Sequence, residues 1–326
     1  MLAEGWGVEP ELSGALLTFG LGLIATVFAA PWVIGVLRQR FRERIVSDSA
    51  RLNALHASKR GTPTMGGVLM VWGASIGVML SPSEQPGWGE RLLGVLCLVS
   101  FSVLGCMDDY VKAVSGRKGL TVWQKLFGQL LLGGALGVWL AYLRSGSGTE
   151  PWVAWAASVI WAMMWMVAGS NAVNLTDGLD GLASGSTVLA ACSLGAGILI
   201  YGDPAVVGWG YLALSLGGSA AGFLWFNRHP ARVFMGDAGS LPLGAFLGLC
   251  AVAAGWEWRM LLIGFVFAVE LLSVVLQVCW YRRTGRRVLL CSPLHNHFVF
   301  RGDREWTIVG GFWIVGMVVG AAGVLL

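Results

Sequence analysis

Charged residues are scarce in this chain of 326 residues: Asp, Glu, Lys and Arg make up 12% of it, against about 25% in a soluble globular protein. So few charges cannot cover the surface of a chain this long in water, and 56% of its residues are apolar. The formal net charge of +4 is too small to favour nucleic-acid binding. With a mean hydropathy of +0.70, the composition indicates an integral membrane protein.

Several familiar chemical motifs are absent as well. The sequence has no GxxxxGK[ST] loop, no nucleophile elbow and no usable GxGxxG after a strand, which argues against a P-loop pump or a Rossmann enzyme. Its six cysteines form no CxxC pair, so neither disulfides nor a zinc site is expected. Any phosphate chemistry must therefore arise from loops between helices.

Apolar segments recur along the chain, and no strand-length alternation accompanies them. A membrane-spanning helix needs about 20 apolar residues. Ten segments approach that length: 13–37, 66–81, 92–107, 122–143, 152–170, 182–201, 205–226, 241–255, 259–281 and 307–326. No internal repeat or linker divides them. The sequence predicts an all-α polytopic membrane protein with about ten transmembrane helices in a single domain over residues 1–326.

The distribution of lysine and arginine predicts the orientation. Placing the segment after the first span in the cytoplasm puts 19 of the 22 basic residues on that side and leaves only Arg91, Arg144 and Arg259 on the other. Because positive residues are retained inside, both termini are expected on the extracytoplasmic side. The inner segments also hold nearly all residues capable of chemistry, so the active site is expected at the cytoplasmic face.

Five aspartates stand at the predicted cytoplasmic ends of spans: Asp108, Asp109, Asp177, Asp180 and Asp237. An aspartate that faces lipid costs about 2.5–3.5 kcal/mol even on the mildest scale. Five such residues at one depth are hard to explain as ordinary helix-end polar groups. They are therefore expected to converge on one site.

The first of these segments reads DDYVK at 108–112. Adjacent carboxylates repel each other unless a cation lies beside them. Mg²⁺ suits such a pair, because it binds carboxylate oxygens and fills its remaining positions with water and substrate phosphate. Lys112 and Lys125 follow the pair, and the pattern therefore predicts a metal–phosphate site.

The remaining polar segments carry fewer carboxylates. Asn171, Asn174, Asp177 and Asp180 recur every three residues, a spacing that aligns them on one side of a tight helix or turn. Segment 225–240 supplies aromatic side chains and Asp237, and segment 292–298 supplies two histidines suited to phosphate contact or proton transfer. His229 precedes a proline without an obvious partner, which favours a structural role.

Five short sequence segments resemble the motifs of a known enzyme family. GTPTMGG at 61–67, DDYVK at 108–112, NAVNLTDGLDGLA at 171–183, FMGDAGS at 234–240 and PLHNHF at 293–298 resemble the bacterial phospho-N-acetylmuramoyl-pentapeptide transferases, the MraY-type lipid I synthases. Their order and spacing match from about residue 38 to the C-terminus. The third block is specific for the polyprenyl-phosphate N-acetylhexosamine-1-phosphate transferase superfamily, and the first and last point to the muramoyl-pentapeptide branch.

The chain departs from the family pattern in its last block. Asn296 replaces the middle one of three usual histidines, and Val299 stands where a glutamate is usual. If the activity is retained, an imidazole at position 296 is dispensable.

The resemblance implies a Mg²⁺-dependent transfer of phospho-MurNAc-pentapeptide from UDP-MurNAc-pentapeptide to undecaprenyl phosphate, which yields lipid I and UMP. It implies a multi-pass enzyme of the bacterial plasma membrane that meets membrane lipids, binds no nucleic acid and forms a homodimer. It leaves open whether Asp108 deprotonates the lipid phosphate or an aspartate attacks covalently.

The resemblance also assigns roles. Asp237 becomes the principal metal ligand with Asp108 and Asp109 nearby, and Lys112, Lys125 and His295 face phosphate oxygens. The expected substrate-binding residues are Lys59, Asn174, Asp177, Gly178, Leu179, Asp180, Asn227, Phe234, which would stack on uracil, Gln277 and His297. For Glu270, inside the membrane, a structural polar contact is favoured over contact with the lipid phosphate.

Two other functions compete. A sister transferase that moves GlcNAc-1-phosphate from UDP-GlcNAc to a polyprenyl phosphate fits the aspartate blocks equally, and only the histidine loop favours the muramoyl substrate. A cation-coupled transporter would place its acidic residues near the middle of the bilayer, whereas these lie at span ends.

Overall fold

The computed structural model describes residues 12–40, 61–82, 86–115, 119–145 and 151–326. Within these ranges the chain forms twelve α-helices and one 3₁₀ turn, without a β-strand. The helices are α1 Leu12–Arg40, α2 Val68–Leu80, α3 Trp88–Ser115, α4 Val122–Arg144, α5 Trp152–Thr176, α6 Leu182–Tyr201, α7 Val207–Asn227, α8 Asp237–Ala254, α9 Glu257–Ile263, α10 Phe265–Thr284, α11 Leu294–Arg301 and α12 Glu305–Leu325. The predicted all-α class is confirmed.

Nine helices in the described ranges are long and apolar enough to cross a membrane. Helices are the natural solution there, because each helix satisfies its own backbone hydrogen bonds where no water is present. All ten predicted segments overlap a helix, and the one at 66–81 corresponds to α2. The polytopic membrane architecture predicted from the sequence is thus confirmed.

Helix α2 is shorter than a usual span. Its 13 residues extend about 20 Å, against an apolar bilayer core of about 30 Å. At its C-terminal end the buried Arg91 side chain donates hydrogen bonds to the carbonyl oxygens of Val78 at 3.0 Å, Met79 at 3.1 Å and Ser81 at 3.0 Å. The guanidinium thereby satisfies carbonyls that a helix end leaves unpaired.

This contact predicts a loss of stability in Arg91→Met. Buried carbonyl groups would lose their donor, and we expect the unfolding midpoint in detergent to fall by about 5–10 °C. Thermal unfolding followed by intrinsic fluorescence measures this shift. Arg91→Lys keeps the charge but loses the several N–H donors of the guanidinium, so its unfolding midpoint should lie between those of wild type and Arg91→Met. A wild-type midpoint in Arg91→Met would contradict the prediction.

The predicted span at 259–281 is interrupted at one residue in the structure, and its membrane-spanning helix begins at Phe265. The structure divides this segment into α9 and α10, with Gly264 between them at φ −93° and ψ 25°. Glycine is a poor helix former, and neither periodicity nor hydropathy marks such a local departure. Helix α9 packs mainly against α12, and α10 packs mainly against α5.

Helix α8 is the centre of the bundle. Every residue from Asp237 to Ala254 is buried, and α5 and α3 pack along it. A helix that is apolar on all sides is expected to be enclosed by other helices. Because Asp237 is its first residue, the carboxylate lies where the enclosed helix emerges at one end of the bundle.

Candidate active site

The last turns of α3 carry two of the predicted metal ligands beside the start of α8. Asp108 and Asp109 are each 3% exposed. A Cβ atom at Gly105, one turn earlier, would collide with the backbone carbonyl of Asp237. Glycine at this position lets α3 approach α8 closely enough to place the aspartate pair next to Asp237.

The three carboxylates converge on one point. Oxygen atoms of Asp108, Asp109 and Asp237 lie within 4.8 Å of one another. The Lys112 ammonium lies 2.6 Å from Asp108 Oδ2, 3.3 Å from Asp109 Oδ1 and 3.1 Å from Asp237 Oδ1. A single cationic group thus contacts all three carboxylates, and its position marks where positive charge is favoured.

Asp237 is also held from two neighbouring helices. Lys125, near the start of α4, donates to Asp237 Oδ2 at 2.6 Å and to Asn174 Oδ1 at 2.8 Å. Asn174, near the end of α5, donates to Asp237 Oδ1 at 2.8 Å and to the Ser240 hydroxyl at 2.8 Å. The ends of α3, α4, α5 and α8 therefore meet at one end of the bundle. Lys112, Lys125, Asn174 and Asp237 thus lie together, as the sequence predicted.

Backbone groups orient the two aspartates of α3. Asp108 Oδ1 accepts a hydrogen bond from Leu120 N–H at 2.8 Å, and Asp109 Oδ2 accepts one from Ala238 N–H at 3.0 Å. These bonds leave the other oxygen of each carboxylate facing Lys112. The geometry of the site is thus set by main-chain donors as well as by the lysines.

The donor set of this group fits magnesium. Three carboxylates and two ammonium groups retain one formal negative charge in a buried site, which favours binding of a further cation. All the anionic donors are carboxylate oxygens, the ligands that Mg²⁺ prefers, and no cysteine or histidine accompanies them in the described part of the chain. Lysines near such a site suit phosphate.

Two of the motif blocks pair side by side. Phe234 N–H donates to the Pro63 carbonyl at 2.8 Å, and Gly66 N–H donates to the Phe234 carbonyl at 2.8 Å. Gly67 N–H donates in turn to the carbonyl of Met235 at 2.9 Å. The GTPTMGG block therefore braces the segment that leads into Asp237, and the half-buried ring of Phe234 lies three residues before that carboxylate.

The turn between α5 and α6 lies against His295. A Cβ atom at Gly178 would collide with His295 Nε2. On the other side of the ring, His295 Nδ1 lies 3.2 Å from Glu270 Oε2, and His295 N–H donates to Glu270 Oε1 at 3.0 Å. Glu270 is fully buried and His295 is 1% exposed. The structural polar contact expected of Glu270 is therefore a bond to His295.

This geometry predicts that Gly178→Ala is harmful. The added methyl group would displace either the turn or the imidazole, and overpacking of this kind is destabilising. We expect the rate of the transfer that the family resemblance implies to fall about tenfold or more, measured as lipid-linked product formed per minute. Gly310→Ala, where a Cβ atom meets nothing within 4 Å, serves as the control and should retain the wild-type rate; equal rates for both variants would contradict the prediction.

Several predicted substrate-binding residues instead make contacts within the protein. Asn227 accepts from Gly181 N–H at 3.2 Å and from the Ser184 hydroxyl at 2.7 Å, and donates to the Val233 carbonyl at 2.9 Å. The side chain of Leu179 is buried in an apolar cluster with α12. Their binding of substrate stays a prediction, and because the Leu179 side chain is buried, a ligand there would meet its backbone.

Gln277, in α10, and His297, in α11, both bond to the loop between these two helices. Gln277 Oε1 accepts from Val288 N–H at 3.1 Å and from Leu289 N–H at 2.9 Å. His297 Nδ1 accepts from Leu290 N–H at 3.1 Å. Neither residue contacts Asp108, Asp109 or Asp237. Both instead hold the backbone of the loop that leads to His295.

Two of the five aspartates expected to converge, Asp177 and Asp180, lie outside the carboxylate cluster. Asp177 ends α5 and is half-buried, and Asp180 lies at the far end of the turn, away from the three converging carboxylates. Of the five aspartates expected to converge, three do so. Lys59 lies outside the described residues.

His229 has a partner that its sequence context did not reveal. Its Nδ1 atom lies 3.1 Å from Asp180 Oδ2 and 3.7 Å from Glu305 Oε2. The partners that its own segment lacks therefore come from the turn after α5 and from α12, and its structural role stays a prediction. The sequence did not mark Glu305 as a partner of His229. Acidic residues are common in the first turn of a helix, because they interact favourably with the helix dipole.

The fold and the site define a class: polytopic membrane proteins in which three carboxylates that could hold a metal ion meet two lysines at one end of the helix bundle. The profile of glycosyl transferase family 4 matches residues 92–255, which contain both aspartate segments of that centre. A signature described as phospho-N-acetylmuramoyl-pentapeptide-transferase signature 1 matches residues 59–71.

Relatives narrow this class further. A phospho-N-acetylmuramoyl-pentapeptide-transferase of Desulforudis audaxviator is 41% identical over 329 residues, covering 94% of this chain and 96% of the relative. Relatives of the same name are 36% identical in Desulforamulus reducens, with 95% and 94% covered, and 38% identical in Oceanobacillus iheyensis, with 97% and 98% covered. The chain belongs to the phospho-N-acetylmuramoyl-pentapeptide-transferase family.

Proposed function

We propose that this enzyme transfers phospho-MurNAc-pentapeptide from UDP-MurNAc-pentapeptide to undecaprenyl phosphate, releasing UMP and forming lipid I for peptidoglycan synthesis. The observation that carries the proposal is the convergence of Asp108, Asp109 and Asp237 on the Lys112 ammonium, with Lys125 beside them. This is the arrangement that a reaction between two phosphates requires.

The chemistry needs charge neutralisation and alignment more than covalent assistance. An oxygen of the lipid phosphate attacks the phosphorus that bears the sugar, the bond from that phosphorus to the UMP oxygen breaks, and UMP leaves with the bonding electrons. Lys112 and Lys125 would offset the repulsion between the two phosphates and stabilise charge on the leaving group. The contact between His295 and a phosphate oxygen, which the family resemblance implies, stays a prediction, because Nε2 lies against Gly178 in the structure.

Mg²⁺ would be held by Asp237, Asp108 and Asp109. When bound, it would polarise the diphosphate and balance the charge that develops on the leaving UMP. The protein itself supplies the rest: α3 and α8 hold the carboxylates, Asn174 orients Asp237, and the turn at 177–181 lines the side on which the nucleoside would lie.

An apolar cavity within the bundle supports a lipid acceptor. It has a volume of about 100 Å³ and lies between α5, α8, α9 and α10, with Val173, Leu247 and Phe267 in its wall. Its lining on α8 begins at Gly244, about two turns along the helix from Asp237, and a prenyl chain would meet apolar walls there. Burial of such a chain against apolar walls is favourable.

The proposal places this end of the bundle at the cytoplasmic face of the bacterial plasma membrane. It is supported by the excess of basic residues on the segments that contact the centre, and by the need for a soluble nucleotide to reach it. Both termini then lie on the extracytoplasmic side. The homodimer implied by the family resemblance stays a prediction.

Transfer from radiolabelled donor tests the proposal. We expect the purified enzyme with undecaprenyl phosphate and Mg²⁺ to convert UDP-MurNAc-pentapeptide into an organic-extractable product and UMP, and to lose this activity on chelation of Mg²⁺. UDP-GlcNAc under the same conditions tests the sister transferase. Turnover of UDP-GlcNAc alone would overturn the choice of donor, and Mg²⁺-independent transfer would overturn the role of the carboxylates.

A further inference from the structure

The turn at 177–181 has two anchors, one at each end. At the first end, Asn174 bonds to Asp237 and Lys125, which ties the end of α5 to the carboxylate cluster. Gly178 then lies against the ring of His295. At the second end stands Asp180, which is 5% exposed and contacts neither lysine of the cluster in the described structure.

The second anchor joins three separate segments. Asp180 Oδ2 accepts from Ala231 N–H at 3.0 Å and lies 3.1 Å from His229 Nδ1, both in the loop between α7 and α8. Asp180 N–H donates to Glu305 Oε1, in the first turn of α12, at 2.7 Å. The side chain of Asp180 is thus held by His229 and Ala231, and its main-chain N–H is held by Glu305. We call these contacts to Asp180 the clamp.

We propose that His229 and Glu305 are positioning residues for the nucleoside end of the nucleotide-sugar donor, acting through Asp180 and the turn at 177–181. The inference rests on the proposed function. The diphosphate of the donor occupies the centre of carboxylates and lysines, so its nucleoside must extend away from that centre. The turn begins at the centre through Asn174 and ends at the clamp.

The two anchors should therefore affect two different kinetic properties, the rate of the chemical step and the binding of the donor. Asn174 and its partners belong to the reacting centre, whereas the clamp sets only where the distant part of the turn lies. Loosening the clamp should weaken donor binding and leave the chemical step largely intact, because the carboxylates keep all their own contacts. A residue needed only for folding would instead lower the amount of active enzyme, and with it kcat, at an unchanged KM.

Two substitutions at one position test this role. In His229→Asn the amide nitrogen lies where Nδ1 lies and can still donate to Asp180, whereas in His229→Gln it lies nearer the position of Nε2. We expect His229→Gln to raise KM for UDP-MurNAc-pentapeptide about tenfold with kcat within about twofold of wild type, because a hydrogen bond to a carboxylate is lost. His229→Asn should keep KM within about threefold of wild type.

Glu305→Ala should raise KM in the same way, and Glu305→Gln, which keeps an oxygen acceptor for Asp180 N–H, should be milder. Asp303→Asn is the matched control: Asp303 pairs with Arg301 at 2.6 Å on the surface, and its loss should leave KM and kcat unchanged. Stabilisation of each variant by UMP, measured as a thermal shift, gives a readout without turnover and should shrink in His229→Gln.

The outcomes separate the two proposals. A wild-type enzyme that is inactive on UDP-MurNAc-pentapeptide would overturn the proposed function. An active wild-type enzyme with equal KM values for wild type and His229→Gln, or with equal losses in His229→Gln and His229→Asn, would overturn the clamp alone. A fall in kcat at constant KM would likewise assign His229 to folding.

Discussion

Asp237→Asn is expected to lower kcat for lipid I formation by about 10³-fold or more. Among the carboxylates of the described residues, Asp237 alone contacts both Lys112 and Lys125, at 3.1 and 2.6 Å. Its loss would remove a proposed metal ligand and leave the two ammonium groups with one fewer counter-charge at the point where, in the proposed reaction, the phosphates meet. Electrostatic groups of this kind contribute about 10²–10³-fold each, and metal ligands add to that.

The measurement is initial-rate transfer of radiolabelled donor at saturating Mg²⁺ and undecaprenyl phosphate. Asp203→Asn is a suitable control, since Asp203 caps a 3₁₀ turn by accepting from Ala205 N–H at 2.8 Å and lies far along the chain from the centre. It should retain wild-type kcat. An Asp237→Asn variant with more than about a tenth of wild-type kcat would contradict the assignment.

Glu270→Gln is expected to lower kcat by about 10²-fold with little change in KM. The Glu270 side chain accepts from His295 N–H with one oxygen and faces Nδ1 with the other. When that second oxygen acts as an acceptor, Nδ1 donates the hydrogen bond. In the Gln variant one of these positions becomes an NH₂ group, which favours the opposite tautomer and places a proton on Nε2.

Rates for Glu270→Gln and Glu270→Asp, compared with folded yield and thermal midpoint, measure this effect. Glu257→Gln is the matched control: Glu257 Oε1 accepts from Trp161 Nε1 at 3.1 Å, and an amide oxygen can accept the same bond. It should leave kcat unchanged. Wild-type kcat in Glu270→Gln would show that the tautomer of His295 does not matter for transfer.

The sequence was most informative where structure is local. Span-length apolar segments predict helices because lipid leaves each segment to satisfy its own backbone, and all ten segments overlap a helix. The same reasoning located Asp108, Asp109 and Asp237 at helix ends. It also placed Arg91 on the sparsely charged side, although only the structure shows that this residue caps α2.

Sequence reasoning was weakest where two distant segments share a residue. Gln277 was predicted to bind substrate, and the structure shows that its amide oxygen accepts from the backbone of Val288 and Leu289. His229 has no partner in its own segment, because Asp180 and Glu305 come from two other segments. Spacing along a chain cannot show such contacts, since they depend on how helices pack.

The sequence by itself determined that this is a helical, multi-pass membrane protein with a carboxylate-and-lysine chemistry, because composition and span length are governed by the solvent around each segment. Only the tertiary structure decided which carboxylates act together. Asp108 and Asp109 meet Asp237 because Gly105 lets α3 lie against the start of α8, whereas Asp180 turns to His229 and Glu305. Close packing between helices, which no single segment encodes, separates the reacting centre from the clamp.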